Sequence, residues 1–142
     1  MYRPRLIPVL LIENNYLIKT KKFKEKNYIG DPINAVKIFN DLEADEIFLL
    51  DIYASSKNNS ISIELVKEVG EEANMPFCVG GGIKSINQIR EILKNGAEKV
   101  VLGNEAAKNP NFISEASEYF GSSTIAVCVD YRTNIFGKQE CF

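Results

Sequence analysis

The sequence predicts an α/β fold built on a parallel sheet. Short apolar, β-branched runs alternate strictly with amphipathic helical patterns. The second to fifth runs lack a polar face, as strands covered on both sides do. With 142 residues and 45% hydrophobic content, the chain holds enough apolar material for one core and one domain.

Each element has its own signal. Leu6 to Ile12 reads as the first strand. Tyr16 to Phe23 alternates weakly, is basic, and reads as a hairpin-like loop. Asp31-Pro32 supplies an N-cap and a proline at the first helical position, and Ala35, Val36, Phe39 and Leu42 follow at helical spacing. Glu46 to Ile52 is the second strand, with a polar loop from Tyr53 to Ser60. Leu65, Val66, Val69 and Ala73 stripe the next helix. Pro76 to Val79 is the third strand and runs into Gly80-Gly81-Gly82. Ser85 and Gln88 form a capping box for a helix striped by Ile86, Ile89, Ile92 and Leu93, which Asn95-Gly96 ends. Lys99 to Leu102 is the fourth strand. Asn109-Pro110 repeats the Asp31-Pro32 device before Phe112, Ile113, Ala116 and Phe120. Ile125 to Val129 is the fifth strand, and Tyr131 to Phe142 is loop or hairpin.

Parallel strands joined by helices cross over right-handedly. Two architectures fit the pattern: an open doubly wound sheet, or part of a (β/α)8 barrel.

Composition narrows the chemistry. Lys+Arg number 17 against 19 Asp+Glu, a net charge of −2, so no basic footprint for nucleic acid is expected. Histidine is absent, which excludes Ser-His-Asp and Cys-His catalysis within this chain and every histidine metal site. No metal and no cofactor is expected. Cys78, Cys128 and Cys141 are odd in number and lack zinc-like spacing. The first two sit in apolar runs, where cysteine behaves as a small buried hydrophobe. A reducing, cytoplasmic setting follows. No run suffices to span a membrane. Arg3, Arg5 and the apolar residues after them are too short and too proline-interrupted for a signal peptide.

In either architecture, ligands bind where the strands end. Asp51 and Asp130 end otherwise apolar strands, where partial burial suits acid–base work. The alternative is a hydrogen-bonded loop anchor. Gly80 to Gly82 ahead of a capped helix suits a phosphate and equally suits a tight turn. Lys19, Lys21, Lys22, Lys24 and Lys26 make the first loop basic, either a lid over a phosphate or a solvated loop. At the opposite ends, Arg5, Glu46 and Lys99 each stand at the start of a strand, where in a barrel they can point inward and form a salt-bridged ring across the bottom. From pattern alone, strand-edge solvation is the simpler account of them.

Taken together, Arg5-Leu6-Ile7-Pro8, Lys19, Phe23, Gly30-Asp31-Pro32, Leu50-Asp51-Ile52, Val79-Gly80-Gly81-Gly82-Ile83 and Val129-Asp130 resemble the cyclase subunit of imidazole glycerol phosphate synthase, across the whole chain. The resemblance implies the N-terminal half of a (β/α)8 TIM barrel: four βα units plus a fifth strand, one partial domain over residues 1–142. A complete barrel takes about 250 residues, so the second phosphate site and a fourth gate residue are expected in the other half. In that family a glutaminase subunit feeds ammonia through the barrel. There it converts a ribulosyl aminoimidazole nucleotide to imidazole glycerol phosphate in histidine biosynthesis.

Matched by position, the resemblance makes Asp130 the catalytic carboxylate and Lys19 the lid lysine. It sets Gly81, Gly82, Asp51 and Asn104 among the contacts to a phosphorylated substrate. Arg5, Glu46 and Lys99 become members of the ammonia gate, and Glu98 faces the glutaminase. Two departures stand out. Leu11 occupies the place of the strand-1 catalytic Asp, and an apolar side chain transfers no proton. Gly103-Asn104 replaces an Asn-Thr pair. The stretch from Ile7 to Leu11, with Gly30 to Val36, is similar to paralogues that supply ammonia for acetamidino sugars of surface polysaccharide. Two further readings are a half-barrel that self-associates through open edges on its first and fifth strands, and a non-catalytic phosphate-binding half-barrel.

Overall fold

A computed structural model describes residues 3–21, 25–134 and 137–141. Lys22, Phe23, Lys24 and Phe142 lie outside the described residues. β1 (Val9–Glu13), β4 (Ile47–Asp51), β5 (Phe77–Gly80), β6 (Lys99–Leu102) and β7 (Ile125–Val127) are the parallel strands. Between them run α1 (Pro32–Asp41), α2 (Ile63–Glu72), α3 (Ile86–Lys94) and the pair α4 (Asn104–Lys108) and α5 (Pro110–Phe120). An antiparallel hairpin, β2 (Tyr16–Lys21) and β3 (Glu25–Gly30), extends the seven-stranded sheet to the order β3-β2-β1-β4-β5-β6-β7. A second hairpin pairs β8 (Tyr131–Thr133) with β9 (Gln139–Cys141). The sheet is half of a (β/α)8 barrel with its helices on one face.

Alternation along each strand separates two faces. Ile12, Ile47, Leu49, Phe77, Val79, Val100 and Leu102 are buried and pack against Val36, Leu65, Val66, Val69, Ile89, Ile92, Phe112 and Ala116 of the helices. This is the core. The other face carries two rows in register: Val9, Phe48, Cys78 and Lys99, then Leu11, Leu50, Gly80, Val101 and Ala126.

Several boundaries differ from the sequence reading. The first strand begins at Val9 rather than Leu6. Pro8 has no N–H to give a ladder, and the Leu6 N–H donates instead to the Asp45 carboxylate at 2.7 Å. The basic loop is a regular hairpin: Asn14 and Asn15 both take the left-handed conformation, φ 51° and 64°, that a tight two-residue turn requires. That hairpin also corrects the expected open edge on the first strand, because β2 pairs with Leu11 to Glu13. The fifth strand ends at Val127, two residues early.

The Asn109-Pro110 cap is a further correction. Asp31 accepts from the Ile33 and Asn34 N–H groups, but Asn109 makes no side-chain cap. It closes α4 while opening α5, and its φ of −135° and ψ of 80° serve that junction. The capping box at Ser85 and Gln88 is present with both reciprocal bonds. Among the described residues no helix is long and apolar enough to cross a membrane.

Candidate functional site

The two ends of the parallel strands are built differently. At the N-terminal ends, Glu46 is the buried charged residue among those described, 2% exposed. Its Oε2 accepts from the Arg5 guanidinium at 2.6 Å. Its Oε1 accepts from Lys99 Nζ at 2.6 Å and from the Cys78 thiol at 2.7 Å. Sequence positions 5, 46, 78 and 99 thus meet across three neighbouring strands. Burial pushes the Glu46 carboxyl up, but the Cys78 and Lys99 hydrogen bonds and the two cations outweigh it, leaving its pKa below the ordinary value. The same contact raises Lys99. Burial and the Glu46 carboxylate push the Cys78 thiol far up, so at neutral pH it is a protonated donor. Glu98, beside this cluster, is exposed.

At the C-terminal ends lies a cavity of about 620 Å³, lined among others by Leu11, Leu50, Asp51, Gly80 to Gly82, Asn104 and Asp130. The glycines are imposed by packing. A Cβ at Gly81, φ 129°, would stand 2.5 Å from the Asp51 carbonyl oxygen, and one at Gly82, φ 65°, would overlap the Asn59 carbonyl. Both glycines line the cavity.

Asp51 Oδ1 accepts from the Tyr53 and Ala54 N–H groups at 2.9 and 2.8 Å. It is therefore a loop anchor at the cavity wall. Asn104 heads α4, and its amide reaches the Ser55 hydroxyl at 3.4 Å. Asp130 is exposed just beyond β7. Leu11, in the middle of β1, gives the cavity an apolar wall.

Lys19 is not brought to this cavity. It is exposed on β2, while its neighbour Thr20 lines the wall, as alternation along a strand dictates. The hairpin is held by Lys26, whose Nζ lies 2.7 Å from Glu13 Oε1 and 3.6 Å from the Tyr53 ring centroid.

Several lining residues escaped the sequence reading: Thr20, Ser55, Lys84 and Lys108. Ser55, Lys84 and Lys108 sit on loops and a short helix, where no periodicity points inward, and Thr20 sits on β2, which reads from the sequence as a loop. Cys128 was expected to be buried but is exposed and lines the cavity, because the fifth strand ends before it. Cys78 was read as a small buried hydrophobe. It is buried, yet its thiol is engaged with Glu46. The register offers the signal, since Cys78 stands opposite Lys99.

Comparison with known proteins agrees with this geometry. Residues 5–141 match the family model described as histidine biosynthesis protein. A Vibrio vulnificus protein, provisionally named imidazole glycerol phosphate synthase subunit hisF3, is 48% identical over 143 residues, all of this chain and 55% of its own length. The imidazole glycerol phosphate synthase subunit HisF of Methanocaldococcus jannaschii is 41% identical over 140 residues, 99% of this chain and 52% of its own. The chain spans about half the length of the curated relatives it matches. With the family model covering nearly every residue, the chain belongs to the histidine biosynthesis protein family.

Proposed function

We propose that this half-barrel serves an ammonia-accepting barrel subunit of the imidazole glycerol phosphate synthase type. A glutaminase subunit docks on the N-terminal face near Glu98, and ammonia enters between Arg5, Glu46 and Lys99. The phosphorylated substrate lies over Gly81, Gly82 and Asn104, with Asp130 as its acid–base group and Asp51 holding the wall. Lys19 reaches the substrate when the hairpin closes as a lid.

One observation carries this reading: a buried carboxylate clamped by two cations lies on the same inner face as the cavity, two rows below Leu50 in its wall. Glu46 and Leu50 are four residues apart on that face, about 13 Å along the strand. The row between them holds Val9, Phe48, Cys78 and Lys99. The test is calorimetric titration of the chain with a glutaminase subunit. Saturable binding that Glu98→Lys weakens is expected, and absence of binding overturns the reading.

A second reading concerns the acceptor, and Leu11 favours it. With Leu11 where the resemblance expects the strand-1 Asp, half of the acid–base pair for imidazole closure is missing. The ammonia then serves another phosphorylated acceptor, such as a sugar destined for an acetamidino group. Turnover of the ribulosyl nucleotide by the complete natural protein with ammonium is expected to be absent or very weak. Normal turnover overturns this second reading and leaves the first intact.

A further inference from the structure

We propose that Cys78 is a positioning residue of the Arg5–Glu46–Lys99 cluster, its thiol being the short-armed donor that holds the Glu46 carboxylate in place. The inference rests on reading that cluster as an ammonia entrance.

The three donors to Glu46 differ in reach and exposure. Arg5 lies ahead of β1 with its side chain 53% exposed, and Lys99 Nζ ends a four-carbon arm with the side chain 27% exposed. Both can swing into solvent at modest cost, since long charged side chains carry their heads readily to water. Cys78 cannot. It is fully buried in the middle of β5, with a single side-chain torsion to its sulfur, between strands whose backbone is fixed by pairing on both sides.

Glu46 Oε1 is shared by Cys78 and Lys99. When Lys99 leaves, the thiol bond alone keeps that oxygen from being an unsatisfied buried acceptor, a cost of about 1–3 kcal/mol where it occurs. The carboxylate therefore stays in register with the sheet while the cationic arms move. Charges that bear on the pair are Arg5, Lys99, the exposed Glu98, and Asp45, whose carboxylate is engaged by the Leu6 N–H.

Carboxyl-resolved NMR titration of the whole chain tests this, with the Glu46 signal assigned by its loss in Glu46→Gln. In Cys78→Ala the Glu46 midpoint is expected to rise by about one pH unit, the effect of removing one hydrogen bond to a carboxylate. In Cys78→Ser, which restores a donor, it returns towards the native value. Should Cys78→Ala fail to fold, Cys78→Val, closer in volume and equally without a donor, is expected to show the same rise. An unchanged midpoint in the donor-free variant, or a serine variant that behaves like it, overturns the proposal. Because no partner is present, this outcome counts against Cys78 alone. Failure of the glutaminase titration counts against the entrance reading alone.

Discussion

Glu46 Oε1 lies 2.6 Å from Lys99 Nζ, a contact between residues 53 positions apart that reaches across β5 from the foot of β4 to the foot of β6. A buried carboxylate in such a position is deprotonated because its donors outweigh its desolvation. The pair has a pH signature. The Glu46 pKa is lowered from 4.5 in the fold, so its stabilisation is whole above that value and lost as pH falls through the lower, folded value. The Lys99 pKa is raised from 10.5, so its share is whole below that value and lost as pH rises through the folded value. Glu46→Gln is expected to cost about 2 kcal/mol at neutral pH, a gap that closes in acid. Denaturant unfolding across the acid range checks this; a gap independent of pH contradicts it.

The two proline-led helices make a matched pair for the value of a cap. Asp31→Ala removes an acceptor bonded to two helical N–H groups at 2.8 and 3.0 Å. It is expected to lower stability by about 1 kcal/mol. Asn109→Ala removes no side-chain cap bond and is expected to change stability by less than about 0.5 kcal/mol. Thermal melts of both variants decide the matter, and equal losses would mean the caps are equivalent after all.

That contrast marks how far the sequence could be read. Alternation and capping place every parallel strand and main helix, because those signals are local. The Asn109 difference arises from α4, whose five residues are too few for a periodic stripe. The hairpin was half legible: the basic alternation was visible, but its register depends on Asn14 and Asn15 adopting positive φ. The Arg5–Glu46–Lys99 cluster is invisible to periodicity because its members meet only when three strands align. The strand-start positions allow such a ring in a barrel, the family resemblance favours it over edge solvation, and Cys78 escapes both.

Gly82 shows where backbone freedom is required. With φ 65° and the Asn59 carbonyl where a Cβ would stand, Gly82→Ala must displace the loop before α2. A loss of at least about 3 kcal/mol is expected, read as a large fall in melting temperature. A variant as stable as the parent would show that this loop is free to move.

Lys26 ties the hairpin to the end of β1 through Glu13 and to the loop after β4 through Tyr53. In Lys26→Ala, amide exchange across Tyr16–Lys21 is expected to speed up, while exchange in β5 stays unchanged. Unaltered exchange in the hairpin would mean that its pairing with β1 suffices to hold it.

Leu11 offers a gain-of-function experiment in the complete natural protein. If the missing carboxylate is what withholds imidazole closure, Leu11→Asp raises ammonium-dependent turnover of the ribulosyl nucleotide by about a hundredfold. No gain, with the fold intact, would place the obstacle elsewhere, for instance at Gly103-Asn104.

The central claim is a division of labour between the two ends of the same strands, and hydrogen–deuterium exchange on this chain tests it most directly. A glutaminase subunit is predicted to protect amides around Glu46, Glu98 and Lys99. Inorganic phosphate is predicted to protect those of Gly81, Gly82 and Asn104. Protection by both ligands at one end, or by the glutaminase at the cavity end, would contradict the account.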